Sequence, residues 1–231
     1  MKHVIVTGVS QGIGLQLVRK FLSIEDCMVI ALGRNPNLVL SRTSGFDQQR
    51  LKVIYLDLNA PDFQELTSTI ESSLDERIDF VVNNAGYLVN KAFLHINDED
   101  LELSVNINFK GPFKLIQSLL PYLKEGSHVV NITSMGAITG TSKYPGLAAY
   151  SSTKGSLSIL TELLAAELET QKITVNGLAL GAVNTEMLQN AFPNYQAPTN
   201  PQEIAEFISL FTLSGSKFFN GKILPVSTSN P

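Results

Sequence analysis

Tyr150 and Lys154 stand four residues apart in the run Tyr150-Ser151-Ser152-Thr153-Lys154. On a helix that spacing puts both on one face, about 6 Å apart along the axis. A phenol with an ordinary pKa of about 10 is a poor acid or base at neutral pH, but a neighbouring ammonium favours the phenolate. Lys154 is therefore expected to tune Tyr150 toward acid-base work. An amphipathic surface helix carries such pairs too, so the assignment depends on what else converges there. Ser134, which ends the run Asn131-Ile132-Thr133-Ser134, offers a hydroxyl that can hold a carbonyl oxygen.

A second group of residues suits an anion. Thr7-Gly8-Val9-Ser10-Gln11-Gly12-Ile13-Gly14 follows a short β-branched run and leads straight into the amphipathic stretch Leu15 to Phe21. Gly8 permits a tight turn, Gly12 lets backbone approach a pyrophosphate, and Gly14 lets the helix pack close, with the helix N–H groups facing the anion. Ser10, Gln11 and Ile13 are expected to touch the same ligand. The spacing is one residue longer before the second glycine than the ordinary dinucleotide fingerprint, and no Gly-Lys-Ser/Thr follows to make a Walker loop. Asn83-Asn84-Ala85-Gly86 has the small residues and amides that suit a ribose.

Positioning these groups requires a particular architecture. Val4–Val6, Met28–Leu32, Val53–Leu56, Phe80–Val82, Val129–Ile132, Ile173–Val175 and Ile223–Leu224 are seven candidate strands. Helical periodicity fills Ile13–Ile24, Asp62–Leu74, Asp98–Lys124, Ala148–Thr170 and Pro201–Leu213 between them. This alternation predicts an α/β fold, a doubly wound seven-stranded parallel sheet with helices on both faces. Asn35 to Gln49 predicts only a short or irregular helix. Asn184 to Asn200, with Pro193 and Pro198, predicts a mobile loop that would act as a substrate lid. No linker divides the pattern, so residues 1–231 are expected to form one domain.

Composition narrows the partners. Of 231 residues, 44% are hydrophobic and 16% charged, and the net charge is −4. That excludes a disordered chain and disfavours nucleic acid as a main partner. The one cysteine, Cys27, cannot form an internal disulfide, and no Cys/His cluster suggests a metal. With no spanning apolar run and no secretory leader in Met1-Lys2-His3-Val4-Ile5-Val6, the expectation is a soluble cytoplasmic protein with no membrane partner.

Taken together, these motifs and their order resemble the short-chain dehydrogenase/reductase family from Lys2 to about Val226. The resemblance implies a Rossmann fold and a nicotinamide cofactor that supplies hydride to a small carbonyl substrate or takes it from an alcohol. It implies that Asn108, in Asn108-Phe109-Lys110-Gly111, joins Ser134, Tyr150 and Lys154 as the catalytic set. Tyr150 would protonate the carbonyl oxygen, Ser134 would polarise it, Lys154 would hold the nicotinamide ribose, and Asn108 would hold a water in the proton relay. Asp57 and Leu58 would border the adenine, Asn84, Ala85 and Gly86 the ribose, and Gly181, Val183 and Thr185, within Asn176 to Thr185, the nicotinamide end.

At the end of the second strand Gly33 occupies the place where a carboxylate would select NAD, and Arg34 follows it. This favours NADP over NAD, although Gln11 stands where many NADP-using relatives carry a basic residue. An NAD-dependent alcohol dehydrogenase and a non-catalytic dinucleotide sensor are the alternatives. Relatives form homodimers or homotetramers. The ending Leu224-Pro225-Val226-Ser227-Thr228-Ser229 departs from the family's Asp-Gly-Gly, and Leu180-Gly181 replaces its Pro-Gly.

Overall fold

A computed structural model of the chain describes residues 1–227. Seven strands, β1 (Lys2–Thr7), β2 (Cys27–Gly33), β3 (Leu51–Tyr55), β4 (Ile78–Asn83), β5 (Leu123–Ser134), β6 (Thr174–Leu180) and β7 (Ile223–Val226), form one sheet. Their order is β3-β2-β1-β4-β5-β6-β7, and every pairing is parallel. Eight α-helices accompany them: α1 (Gly12–Leu22), α2 (Pro36–Arg42), α3 (Gln64–Ser73), α4 (Asp98–Val105), α5 (Gly111–Leu119), α6 (Ala148–Glu167), α7 (Glu186–Ala191) and α8 (Pro201–Ser214).

Strand period dictates the layers. Val4 and Val6 face one side with Phe21 of α1 and Ile208 of α8. Ile5 between them faces the other, with Ile70 of α3 and Leu115 of α5. Both faces of the sheet are thus buried, as a parallel sheet requires. The strand order reverses between β1 and β4, and the carboxyl ends of those two strands flank the crevice where open α/β sheets hold ligands.

Four elements differ from the sequence expectation. Strand β6 continues to Leu180 because Asn176 and Gly177, which look like strand breakers, are both accommodated. Asn176 is fully buried, its Nδ2 donating to the carbonyl of Phe219 at 2.8 Å. A Cβ on Gly177 would stand 2.6 Å from Ile223 Cδ1 of β7, so the glycine is what lets the last strand dock. The helix expected over 98–124 stops at Leu119, and Leu123 and Lys124 belong to β5. Its middle widens into a π-helical stretch at Asn106–Lys110. The 184–200 segment contains a helix, α7, capped by Thr185 Oγ1 accepting from Leu188 N at 3.3 Å, and a Val183–Thr199 bridge joins its ends. Finally, β3 spans Leu51–Tyr55 and leaves Leu56 outside. Asn35 to Gln49 holds the short α2, as expected. Thr228 and Ser229 lie outside the described residues.

Among the described residues no helix is long and apolar enough to cross a membrane. None of their His, Cys, Asp and Glu side chains form a group of three or more that could hold a metal ion.

Candidate active site

The carboxyl edge of the sheet opens into a cavity of about 700 Å³. It is lined by Gly8, Ser10, Gln11, Gly12 and Ile13 after β1, Arg34 after β2, and Asp57 and Leu58 after β3. Asn84, Ala85 and Gly86 enter it after β4, Ser134 ends β5, Tyr150 and Lys154 come from α6, and Gly181, Val183 and Thr185 follow β6. Gly14 and Asn108 stand behind this lining.

The glycine turn is held by backbone needs. Gly8 has a φ of +71°, and a Cβ there would lie 2.7 Å from Ala85 Cα. Gly12 has a φ of +54°, and a Cβ would meet Thr185 Cγ2 at 3.4 Å, so the turn and the segment after β6 close on each other. Gly14 lets α1 come close to Gly8, the residue that follows β1. Its Cβ would collide with the Gly8 carbonyl and stand 2.6 Å from Asn84 Nδ2. Asn84 spends that amide on the turn, donating to the carbonyls of Thr7 at 2.9 Å and Gly8 at 3.3 Å. Asn83 takes no part in the cavity; it is buried and donates to Asn131 Oδ1 at 2.8 Å. Thr7, unremarked in the sequence beyond its place in the glycine run, completes the clasp. Its Oγ1 accepts from Asn84 N at 3.1 Å and Ala85 N at 3.0 Å.

Helix α1 begins at Gly12 with no side-chain cap and no acidic residue in its first turn, leaving its first N–H groups free for an anion. Gly33 is crowded by Val9 Cγ2, which a Cβ would meet at 3.2 Å, so a carboxylate side chain could enter only if Val9 moved. Arg34 is exposed at the cavity mouth and makes no hydrogen bond or ion pair with the described residues. These features fit a dinucleotide whose pyrophosphate lies at the α1 N-terminus.

The other end of the cavity carries the candidate acid-base groups. The Tyr150 and Ser134 hydroxyls face the same cavity, and Ser134 Oγ accepts from Gly136 N at 3.3 Å. Burial pushes the Tyr150 phenol up to about 12, while neighbouring Ser134 pulls the other way. Lys154, also buried, is pushed down to about 8. Its Nζ donates to the carbonyl of Ile132 at 2.8 Å, and it is not among the groups that shift Tyr150. The expected downward pull of Lys154 on the phenol is therefore not found, because burial governs both groups. Gly86 lies beside the lysine: a Cβ there would be in ordinary contact, 3.4 Å from Lys154 Nζ and 3.5 Å from Asn108 Oδ1.

Asn108 sits fully buried in the π-helical stretch. Its Oδ1 accepts from Tyr87 N at 2.7 Å, and its Nδ2 donates to Tyr87 O at 2.9 Å and to Thr153 Oγ1 at 3.0 Å. Thr153, three residues after Tyr150 and on the same helix face, is a supporting residue the sequence reading passed over. Neighbouring Asn106 instead faces outward to Asn59, and Tyr144 is 54% exposed on its loop whereas Tyr150 is partly buried, so Asn108 and Tyr150 are the more enclosed members of each pair. Asn90 joins three segments at the rim. Its Nδ2 donates to Ala191 O at the end of α7 at 2.8 Å, and its Oδ1 occupies the place a Cβ on Gly146 would need. No periodicity marks Asn90, since it lies on a loop.

Residues 2–196 match the family model for short chain dehydrogenase. An uncharacterized oxidoreductase of Staphylococcus epidermidis is 28% identical over 220 residues, covering 90% of this chain and 89% of the relative. Among solved structures, a 4-hydroxyisoleucine dehydrogenase complexed with NADH superposes with a TM-score of 0.82 at 25% identity, over 98% of this chain and 97% of that one. An angucycline C-6 ketoreductase with bound NADP has a TM-score of 0.85 at 20% identity, over 97% and 93%, and shows the shared fold. The strand order, the glycine turn at the switch point and the family match agree, and this chain belongs to the short-chain dehydrogenases, oxidoreductases that work with a nicotinamide cofactor.

Proposed function

We propose that the protein is an NADP-dependent oxidoreductase that interconverts a ketone or aldehyde and the corresponding alcohol. The observation that carries this reading is the presence of the Ser134 and Tyr150 hydroxyls in the lining of one cavity, with Lys154 buried one helical turn along. When bound, the cofactor supplies or accepts the hydride. Held at about 12 by burial, the Tyr150 phenol keeps its proton at neutral pH and gives it to the carbonyl oxygen during reduction. Ser134 donates a hydrogen bond to the same oxygen and polarises it. Lys154, charged below about pH 8, holds the nicotinamide ribose.

Asn108 serves the relay through its backbone. Pro112, at the second position of α5, has no N–H to give the carbonyl four residues earlier. The Asn108 carbonyl is thereby left without its α-helical donor and can accept from a water that returns the proton to Tyr150.

NADP is favoured over NAD because Gly33 presents no carboxylate and Arg34 stands at the mouth with no partner among the described residues. The 184–200 segment acts as the substrate lid of a single catalytic domain spanning 1–231. We place the protein in the cytoplasm as a homodimer or homotetramer, with exposed Leu101, Phe113, Ile159 and Leu163 on α4 to α6 as contact residues. Tyr150→Phe tests the acid-base role. Turnover should fall about a thousandfold or more while NADPH affinity changes little, whereas an active variant would remove Tyr150 from the mechanism.

A further inference from the structure

The substrate end of the cavity differs in chemistry from the cofactor end. Arg34, Asp57 and Lys154 are the charged side chains among its described lining residues. Arg34 and Asp57 lie beyond β2 and β3, on the side of the sheet away from Ser134. Lys154 is turned to the Ile132 carbonyl. Around Ser134 and Tyr150 the walls are Leu88, Met135, Leu147, Met187, Leu188 and Phe192. The cations nearest in sequence are already engaged. Lys143 Nζ donates to the Ile138 carbonyl and to Thr141 Oγ1 at 2.8 Å, and Lys91 is paired with Asp100 at 2.6 Å. A carboxylate or phosphate on the substrate would be stripped of water with no partner in return.

Resting on the reading of Ser134 and Tyr150 as the carbonyl site, we infer that the substrate is an uncharged carbonyl compound, or its alcohol, with an apolar body. Its oxygen lies at the hydroxyl pair and its carbon skeleton against the aliphatic and aromatic wall from the 135–147 and 184–200 segments. Sugar phosphates and keto acids are disfavoured.

The test uses the full chain with NADPH, a series of unbranched methyl ketones, and for each a keto acid of the same length that ends in a carboxylate. The ketone should be preferred in kcat/KM by about 100-fold or more, with a gain of roughly two- to fourfold per added methylene until the cavity is filled. Leu188→Lys should narrow the gap by improving the keto acid and weakening the ketone, and Tyr144→Lys, at an exposed site, gives the same reading should the first variant fail to fold. Preference for the keto acid, or no dependence on chain length, overturns the inference while leaving the reductase intact. Calorimetric binding of the same compounds to the protein–NADPH complex separates the two claims. Ketone binding that strengthens with length but gives no turnover contradicts the proposed reaction alone, and binding indifferent to length and charge contradicts the substrate class.

Discussion

Strand β5 passes two polar clusters, and the contrast between them separates a structural network from a working one. Toward its start, His128 is fully buried. Its Nδ1 lies 2.9 Å from the Thr212 carbonyl and its Nε2 3.1 Å from Asn176 Nδ2. These partners fix a neutral ring that donates from Nδ1 and accepts at Nε2. Every polar atom of that ring is paired inside the protein, and burial holds its pKa at about 4. At the strand's end, Tyr150 and Lys154 are also displaced from ordinary values by burial, yet the Ser134 and Tyr150 hydroxyls and the Lys154 ammonium line a cavity. Burial alone therefore does not mark a catalytic group. What marks it is hydrogen-bonding capacity facing a space that a ligand can enter.

The contrast can be broken from either side. Lys154→Met should lower turnover about 100-fold or more and weaken cofactor binding, with little change in the unfolding midpoint; a loss of stability without loss of rate would make Lys154 a second structural group. For His128 the effect should be on stability alone. Its folded pKa of about 4 lies below the ordinary 6.5, so between those values the unfolded chain binds a proton that the folded chain refuses. Stability should therefore be intact above pH 6.5 and fall by up to about 3 kcal/mol as the pH drops to about 4. Urea titrations of wild type and His128→Gln across that range measure it, and an equal slope in both would assign the acid sensitivity elsewhere.

Smaller effects sharpen the cofactor end and the rim. Arg34→Ala should weaken NADPH about tenfold and leave NADH unchanged, because an exposed guanidinium contributes modestly even to a phosphate. An equal loss for both cofactors would remove the phosphate role. Asn90→Ala, which cuts the bond to the end of α7, should raise KM for the carbonyl substrate roughly two- to fivefold with kcat nearly constant; a fall in kcat alone would place its role in the chemistry rather than in holding the rim.

Much of this arrangement was legible in the sequence because it depends on local spacing. The β-branched runs gave seven strands, the glycine run marked the β1–α1 turn, and the four-residue spacing of Tyr150 and Lys154 placed both on α6. The errors arose where distant residues override local preference. Asn176 and Gly177 look like a strand's end until His128, Phe219 and Ile223 are beside them. The π-helical stretch at Asn108 needs the Tyr87 backbone and Thr153, and its periodicity alone reads as uninterrupted helix. The phenol's upward shift was likewise hidden, since spacing reports proximity to a charge and says nothing of burial.

The most direct test of the central claim is a titration of the purified protein with NADPH and with NADH, followed by loss of reduced-nicotinamide absorbance in the presence of a panel of ketones and aldehydes. The account predicts tighter binding of NADPH and its oxidation dependent on an apolar carbonyl compound. Failure to bind either cofactor, or tight binding with no turnover across the panel, would contradict it.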